Sequence, residues 1–584
     1  MAANFGSFQL TTLRSKRPIV SRSEPAAAVI EGLTGIDPLF ARLYATRGVT
    51  AATQLDYGLA SLAPVSSLDN VDAGVALLCE KRDQRIIIVG DFDVDGATST
   101  ALMLRCLRAF GFAEIDYLVP NRFEFGYGLS PEIVQVAAKG SPALIVTVDN
   151  GVSSIAGVAA AKAAGIAVLV TDHHLPADEL PDADVIVNPN LTGSEFSSRN
   201  LAGVGVAFYL MAALGRELEK QGQSGAAKVP AQYLDLVALG TVADVVPLDH
   251  NNRILVQQGL SRIRAGKTVA GIRALLDQSG KQLARTVSTD LGFTVGPRIN
   301  AAGRLEDMSV GIECLLSDDQ SIAEQHAITL DRINKDRREI ESTMREQAFA
   351  YVKSLDSRKW PPCVCVYEKS WHQGVVGLIA ARVKEQCHRP VIAFARESAG
   401  NLKGSGRSVA GVHMRDLLEA VSSTHPGLIS KFGGHAMAAG LSIAEADYAI
   451  FKKAVETQLD RLYPDADFSG AIVSDGMLDS AAIARWGGLL QTAGALRDAG
   501  PWGSAFPEPL WNGDFKVIEQ RTVGENHLKM RVRSASGGDV VDAIAFNQAG
   551  AAYRGVVQLA YRLDVNEYRG ARTPQLIVEQ IEAL

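Results

Sequence analysis

Between about residues 70 and 260 the chain carries four short, uninterrupted apolar runs: RIIIV (85–89), ALIVTV (143–148), IAVLVT (166–171) and DVIV (184–187). Continuous rather than alternating apolarity marks a strand buried on both faces, the condition of a parallel sheet covered by helices. The stretches ATSTALMLRCLRAF (97–110) and VSSIAGVAAAKAAG (152–165) have the composition of those covering helices. The alternation predicts an α/β domain built on a doubly wound parallel sheet.

A chain of 584 residues exceeds one core, so further domains are expected. An N-terminal extension (1–70) precedes the first α/β domain (71–316). Residues 317–355 are charged, place Leu330, Ile333, Ile340, Met344, Ala348 and Val352 at helical spacing, and hold no Pro or Gly, which predicts one long connecting helix. A smaller α/β domain (356–455) follows, with PVIAFA (390–395) as a strand, MRDLLEAV (414–421) as a helix, and Gly-rich turns at 404–411 and 433–440. The remainder (456–584) is a linker, with a boundary near 500–511, and then a small β-barrel built from LKMRVR (528–533), VVDAIAF (540–546), VVQLAYRLDV (556–565) and PQLIVEQI (574–581).

Charge and cysteine content narrow the function. With 58 basic against 65 acidic residues the net charge is −7, which argues against a wholly basic nucleic-acid coat, so a polyanion must be held locally. Residues 511–584 hold nine basic and nine acidic side chains, so the rest of the chain carries the whole −7. Six scattered cysteines give neither a disulfide framework nor a zinc-ribbon spacing, which fits a reducing cytoplasm. No apolar run approaches the roughly 18 residues of a membrane span, and no membrane partner is expected. The acid-poor N-terminus with Arg14, Lys16, Arg17 and Arg22 is read as a floppy basic tail rather than a removable address.

The sharpest local feature is VGDFDVDGATST (89–100), where Asp91, Asp93 and Asp95 follow directly on a strand. Ligand chemistry in open α/β sheets collects at the C-terminal ends of strands. Asp is also a common helix cap, and for this motif alone capping is an equal reading. The pattern recurs, however: Asp149 follows the second run, and Asp172, His173 and His174 follow the third. Three strands deliver ionisable groups to one sheet edge. Asp244 adds a lone acid in the apolar DLVALGTVADVVPL (235–248), where a helix-end role and a functional role are equally open. Carboxylates with one or two imidazoles and no thiolate suit Mn²⁺ or Mg²⁺, and two such ions suit phosphoester hydrolysis.

GDFDVDG, VDNG and TDHHLP together resemble the DHH phosphoesterase superfamily. PNRFEFGYGLS (120–130), NPN (188–190), LAGVGVAF (201–208), LVALGTVADVVPL (236–248) and GPRINAAGR (296–304) resemble its RecJ branch of single-strand-specific 5′→3′ DNA exonucleases. WHQGVVGLIAARV (371–383), GSGRS (404–408) and FGGHAMAAG (432–440) resemble the companion DHHA1 domain, and the terminal barrel resembles an oligonucleotide-binding (OB) fold. The resemblance implies Asp91, Asp93, Asp149, His173 and Asp244 as ligands of two divalent ions, with Asp149 the bridge, and a supporting role for Asp95 and His174. Val89 stands where some other DHH branches place a His, and Asp91 substitutes.

The resemblance further implies that Arg122, Ser405 and Arg407 hold the 5′-terminal phosphate while Arg304 and His435 face the scissile region. Asp93, Asp149, His173, His174, Arg304 and His435 are then the catalytic set. A pocket for a terminal phosphate would give the reaction its polarity. In the barrel, Lys529, Arg531 and Arg533 alternate with apolar residues, and this basic face beside Tyr561 and Tyr568 suits a single strand. The expected activity is release of 5′-mononucleotides from single-stranded DNA in repair and recombination, by a monomer working with single-strand binding protein and a helicase. A small-substrate phosphoesterase and a noncatalytic DNA-binding scaffold are the alternatives. The barrel argues against the first and the full ligand set against the second.

Overall fold

The structure, a computed structural model, describes residues 17–121, 128–355, 360–397, 400–524, 526–568 and 570–584. In chain order its first six strands are β1 (Ile19–Ser21), β2 (Ile86–Val89), β3 (Ile115–Leu118), β4 (Leu144–Val148), β5 (Ala167–Thr171) and β6 (Val185–Val187). The chain divides into two compact units. One comprises Glu24–Lys335 with Arg497–Glu508, and the other Asp336–Leu496 with Pro509–Leu584 and the residues up to Ser23.

In the first unit, β3-β2-β4-β5-β6 form a wholly parallel sheet. One face, carrying Ile87, Val89, Ile145, Val168 and Val170, packs on Ile133 and Val134 of the helix Pro131–Ala138 and on Val158 and Ala161 of the helix Ile155–Ala163. The helices Val71–Glu80, Val94–Ala109 and Gly203–Lys220 cover the other face. Each fully buried aliphatic side chain in these layers contributes about 1.5–3 kcal/mol. The sheet is therefore doubly wound, as the apolar runs predict. Beyond those runs it contains β3, whose sequence IDYL is only half-buried at the sheet edge and so lacks their signature. The winding reverses at β2: the chain crosses to β3 on one side and then returns to β4 on the other. The segment Arg497–Glu508 rejoins this unit far along the chain. Tyr44 donates to the Ala499 carbonyl (2.9 Å), Ser288 to that of Trp502 (2.6 Å), and the Arg253 guanidinium lies 4.4 Å from the Phe506 ring centre.

The second unit contains β7 (Val364–Tyr367), β8 (Val391–Arg396), β9 (Asn401–Arg407), β10 (Lys431–Gly434), β11 (Ala438–Ala444), β12 (Ile472–Ser474), β13 (Trp511–Val523), β14 (His527–Ser534), β15 (Val540–Ala545), β16 (Val556–Tyr568) and β17 (Ala571–Ala583). A mixed sheet runs β10-β11-β9-β8-β7, and β13-β14-β15-β17-β16 close into a barrel. The expected connecting helix spans Gln320–Ser354. Arg14 and Lys16 of the expected basic tail lie outside the described residues, but the described part is no free tail: β1 pairs in parallel with β12, and Arg22 meets the buried Asp475 at 3.1 Å. Two further expectations need correction. Residues 404–407 of GSGRS are not a turn but the second half of β9, paired on both sides, and only Ser408 lies beyond the strand. Tyr561 does not face a strand of DNA. It is buried on the inward row of β16 against Phe515, whereas Tyr568 is 64% exposed.

Among the described residues no single helix is long and apolar enough to cross a membrane. All six cysteines are free, five of them buried.

Candidate metal centre

The strand order decides where the acids meet. β2 and β4 are neighbours whose following connections leave in opposite directions, and a crevice opens at such a reversal, at the carboxyl ends of the strands. Asp91 and Asp93 follow β2, Asp149 follows β4, and His173 and His174 follow β5. Asn150 ties the first two loops together, donating to the Val89 and Val148 carbonyls (3.1 and 2.9 Å).

Candidate ligand atoms of Asp91, Asp93 and Asp149 lie within 4.8 Å of one another, as do those of Asp149, His173 and His174, and those of Asp95, His173 and Asp244. His173 Nε2 stands 3.2 Å from Asp149 Oδ1 and 3.6 Å from Asp244 Oδ2. The structure thus gathers all five expected metal ligands and His174. Capping and clustering are not alternatives for Asp93. Its Oδ1 accepts from the Gly96 N–H (3.0 Å) at the start of the helix Val94–Ala109 while the carboxylate also belongs to the cluster.

Asp95 serves the scaffold. Fully buried, it accepts from the N–H groups of Gly203 (2.6 Å) and Val204 (2.9 Å), which open the helix Gly203–Lys220. A helix N-terminus favours a carboxylate there. That helix is pressed against the cluster: a Cβ on Gly203 would stand 2.6 Å from the Asp149 Cβ, so the position admits no side chain. The LAGVG motif has its physical reason in this contact. Asp149 itself holds φ +61°, a left-handed backbone that is costly for a residue other than glycine.

Electrostatics fit a cationic occupant. Burial, followed by the charges of Asp95, Asp93, Asp244 and Asp91, drives the Asp149 carboxyl well above the ordinary carboxylate range. Burial and Asp93 push Asp244 up to about 7, and burial with Asp244 and Asp93 raises Asp95 against the pull of its two N–H donors. So many acids in one buried place repel one another, and a bound divalent cation relieves that repulsion. A set of carboxylates and imidazole suits hard or borderline cations.

Asp172 takes the opposite course. Burial opposes its ionisation, but the hydrogen bond and charge of His174, with the charge of His173 and the Val152 N–H, hold it at about 2. Its Oδ1 accepts the His173 and His174 N–H groups and meets His174 Nδ1 at 2.8 Å. Burial disfavours the charged His174 ring, yet Asp172 raises it to about 9. Asn188 and Asn190 of NPN donate to the His174 and His173 carbonyls (2.9 and 2.7 Å) and so fix the loop from the other side. Asn150, Asn188 and Asn190 were not singled out from sequence, although they sit in the quoted motifs VDNG and NPN.

The other expected residues lie elsewhere. Arg304 is half-buried in the last turn of the helix Gly296–Leu305. Arg122 lies outside the described residues. Ser405 and Arg407 lie in the second unit, two residues apart on β9, with Arg407 Nη1 donating to Ser405 Oγ (2.9 Å). Against them rests the first turn of the helix Val376–Cys387, whose leading N–H groups have no intrahelical acceptor. A Cβ on Gly377 would come within 2.9 Å of Arg407 Nη2 and 3.1 Å of Ser405 Oγ. His435 is exposed in the turn between β10 and β11.

Comparison with known proteins agrees with this arrangement. The profile of the DHH family, N-terminal domain, matches residues 85–241, that of the DHHA1 domain residues 361–461, and that of the RecJ OB domain residues 489–580. The single-stranded-DNA-specific exonuclease RecJ of Salmonella typhimurium is 51% identical over 558 residues, covering 94% of this chain and 96% of that protein. The crystal structure of RecJ from Thermus thermophilus in complex with Mn²⁺ matches with a TM-score of 0.79 at 30% identity, covering 97% of this chain and 79% of that one. Its Mg²⁺ complex matches with a TM-score of 0.74 at 28% identity, covering 97% and 78%. Likeness of this extent, carried through the DHH, DHHA1 and OB domains alike, places the chain in the RecJ family.

Proposed function

We propose that the protein is a metal-dependent exonuclease that hydrolyses single-stranded DNA from its 5′ end and releases 5′-mononucleotides. The observation that carries this reading is the convergence of Asp91, Asp93, Asp149, Asp244, His173 and His174 at one crevice. The activity for which the relatives are named and the two metal complexes support it. Asp91, Asp93, Asp149, His173 and Asp244 would hold two Mn²⁺ or Mg²⁺ ions, which would supply activation of a water and charge neutralisation at the phosphoryl oxygens.

Asp149 would serve both ions, because it belongs both to the group with Asp91 and Asp93 and to the group with His173 and His174. His174 is oriented by Asp172, whose hydrogen bond and charge favour its protonated form. It is placed to give a hydrogen bond to a phosphoryl oxygen, and Asp172 keeps the ring from turning. We assign Ser405 and Arg407 to the 5′-terminal phosphate, with Arg122, and assign Arg304 and His435 to the scissile region. A guanidinium, a hydroxyl and helix N–H groups together suit a phosphate dianion. On the barrel, Arg531 and Arg533 are exposed on β14, with Arg531 3.5 Å from Glu519 and Lys529 drawn to Asp542 (2.9 Å). The reading includes a monomer in the cytoplasm that meets single-strand binding protein and a repair helicase.

The test is incubation of the purified protein with Mn²⁺ and a 5′-phosphorylated single strand labelled at either end. Early release of 5′-mononucleotides from the 5′ end is expected, with loss of activity in chelator. Release from the 3′ end, or equal attack on duplex, would overturn the reading.

A further inference from the structure

A carboxylate cluster would engage DNA through cations bound to the phosphodiester, a group that single-stranded and duplex DNA share, so the cluster alone cannot distinguish them. We propose that Phe293 supplies the distinction by stacking on the base of a nucleotide that flanks the scissile phosphodiester. The inference rests on the exonuclease reading above and deepens it.

Phe293 is 79% exposed, and no other aromatic side chain among the described residues of its unit falls in the exposed class. Its position follows from the sequence. Helix runs from Ser288 to Leu305 with Pro297 inside, and in an α-helix the nitrogen of residue 297 would bond to the carbonyl of residue 293. Proline has no N–H to give. The helix instead makes a π-turn over Leu291–Val295, closed by the Gly296 N–H on the Leu291 carbonyl. Leu291 and Val295 point into the core, and Phe293 between them points out. Single π-turns within helices are frequent at functional sites.

The same turn packs beside the metal cluster. A Cβ on Gly292 would stand 3.2 Å from Val242 Cγ1, and one on Gly296 would stand 3.5 Å from the Ala243 Cβ and 3.9 Å from Val94 Cγ2. Val242 and Ala243 lead directly into Asp244, and Val94 directly follows Asp93. Two more exposed apolar side chains adjoin cluster residues: Val245, 66% exposed, follows Asp244, and Leu175, 61% exposed, follows His174. Val245 also holds φ +64°, which is unfavourable for a β-branched residue and is not compensated by burial. An apolar border around a buried acidic crevice matches a nucleotide, with its phosphate at the centre and its base at the edge. A duplex keeps its base faces stacked on one another, whereas a single strand offers them to an aromatic ring.

The test uses the full-length protein with Mn²⁺ and 5′-phosphorylated single strands that carry 2-aminopurine at one of the first few positions, protected by phosphorothioate linkages. The parent should quench the fluorophore at one position, Phe293→Ala should leave it bright, and Phe293→Trp should restore the quenching. On unmodified strands Phe293→Ala should raise KM by about 5- to 100-fold with kcat unchanged. An abasic site at the quenched position should raise the parent's KM likewise and erase the difference between parent and variant. Equal fluorescence for parent and Phe293→Ala at every position, or an undiminished deficit of the variant on the abasic strand, would overturn the proposal. Because quenching needs no turnover, the two readings fail separately: protein that quenches but releases no mononucleotide breaks the exonuclease reading, and active protein with unchanged fluorescence breaks only this one.

Discussion

The crevice at the end of the parallel sheet and the Ser405–Arg407 pair on β9 manage charge in opposite ways. The first concentrates acids that repel one another, with Asp149 and Asp244 pushed toward the neutral form by burial and by their neighbours. The second sets a guanidinium beside a hydroxyl that accepts from it and still has its own proton to donate, next to a helix N-terminus. The first suits cations, and the second, on the reading proposed above, suits an anion. Each group lies in its own unit, placed by the part of its sheet that carries it. A parallel sheet gathers loop residues at its carboxyl edge, while a mixed sheet carries the donors within a strand.

The largest expected effect falls on the acid side. Asp149→Asn should lower Mn²⁺-dependent exonuclease turnover by about a thousandfold or more, read as mononucleotide release, because it weakens both ligand groups at once. Gly203→Ala comes next. Its Cβ would push on Asp149, and a displacement approaching 1 Å should cost about a hundredfold in activity, with about 1–3 kcal/mol of stability measured by denaturant titration.

On the donor side, Arg407→Ala should remove the preference for 5′-phosphorylated over 5′-hydroxyl ends, by about ten- to a hundredfold in the ratio of kcat/KM values. An unchanged ratio would undo the contrast between the two sites. Gly377→Ala should act in the same direction but by only about threefold, since the atom it meets is the mobile end of a side chain.

The smallest effect is one of stability. The Asp244 carboxyl is raised from its ordinary 3.8 to about 7, so in metal-free protein its contribution to stability is full below pH 3.8 and is lost as pH rises through 7. Asp244→Asn in chelator should therefore gain a few degrees of Tm over the parent at pH 8, and less at pH 5. Mn²⁺ should reverse the order at pH 8, because the parent retains its ligand.

Much of the molecule was legible before its structure. The buried strands were visible because burial on both faces leaves no polar alternation, and Asp91, Asp93, Asp149 and His173 were visible because each follows such a strand. β3 was not, since an edge strand can carry a polar residue such as Asp116. Nor was the pairing of β1 with β12, whose partners lie some 450 residues apart and share only a short IVS in each. GSGRS misled because glycine usually marks a turn. Here Gly404 faces the Phe394 ring, where a Cβ would come within 2.6 Å, so the glycine makes room for a neighbour within a sheet.

The sequence by itself determined the doubly wound sheet, the family and the candidate acidic residues at the sheet edge, because periodicity and local motifs act over a few residues. Tertiary structure decided the rest: that Asp95 holds a helix while Asp149 faces the crevice, that Asp172 serves His174, and that Tyr561 is core. Those roles depend on which groups from distant segments come within about 3 Å, the range over which hydrogen bonds act. A local pattern carries no record of that distance.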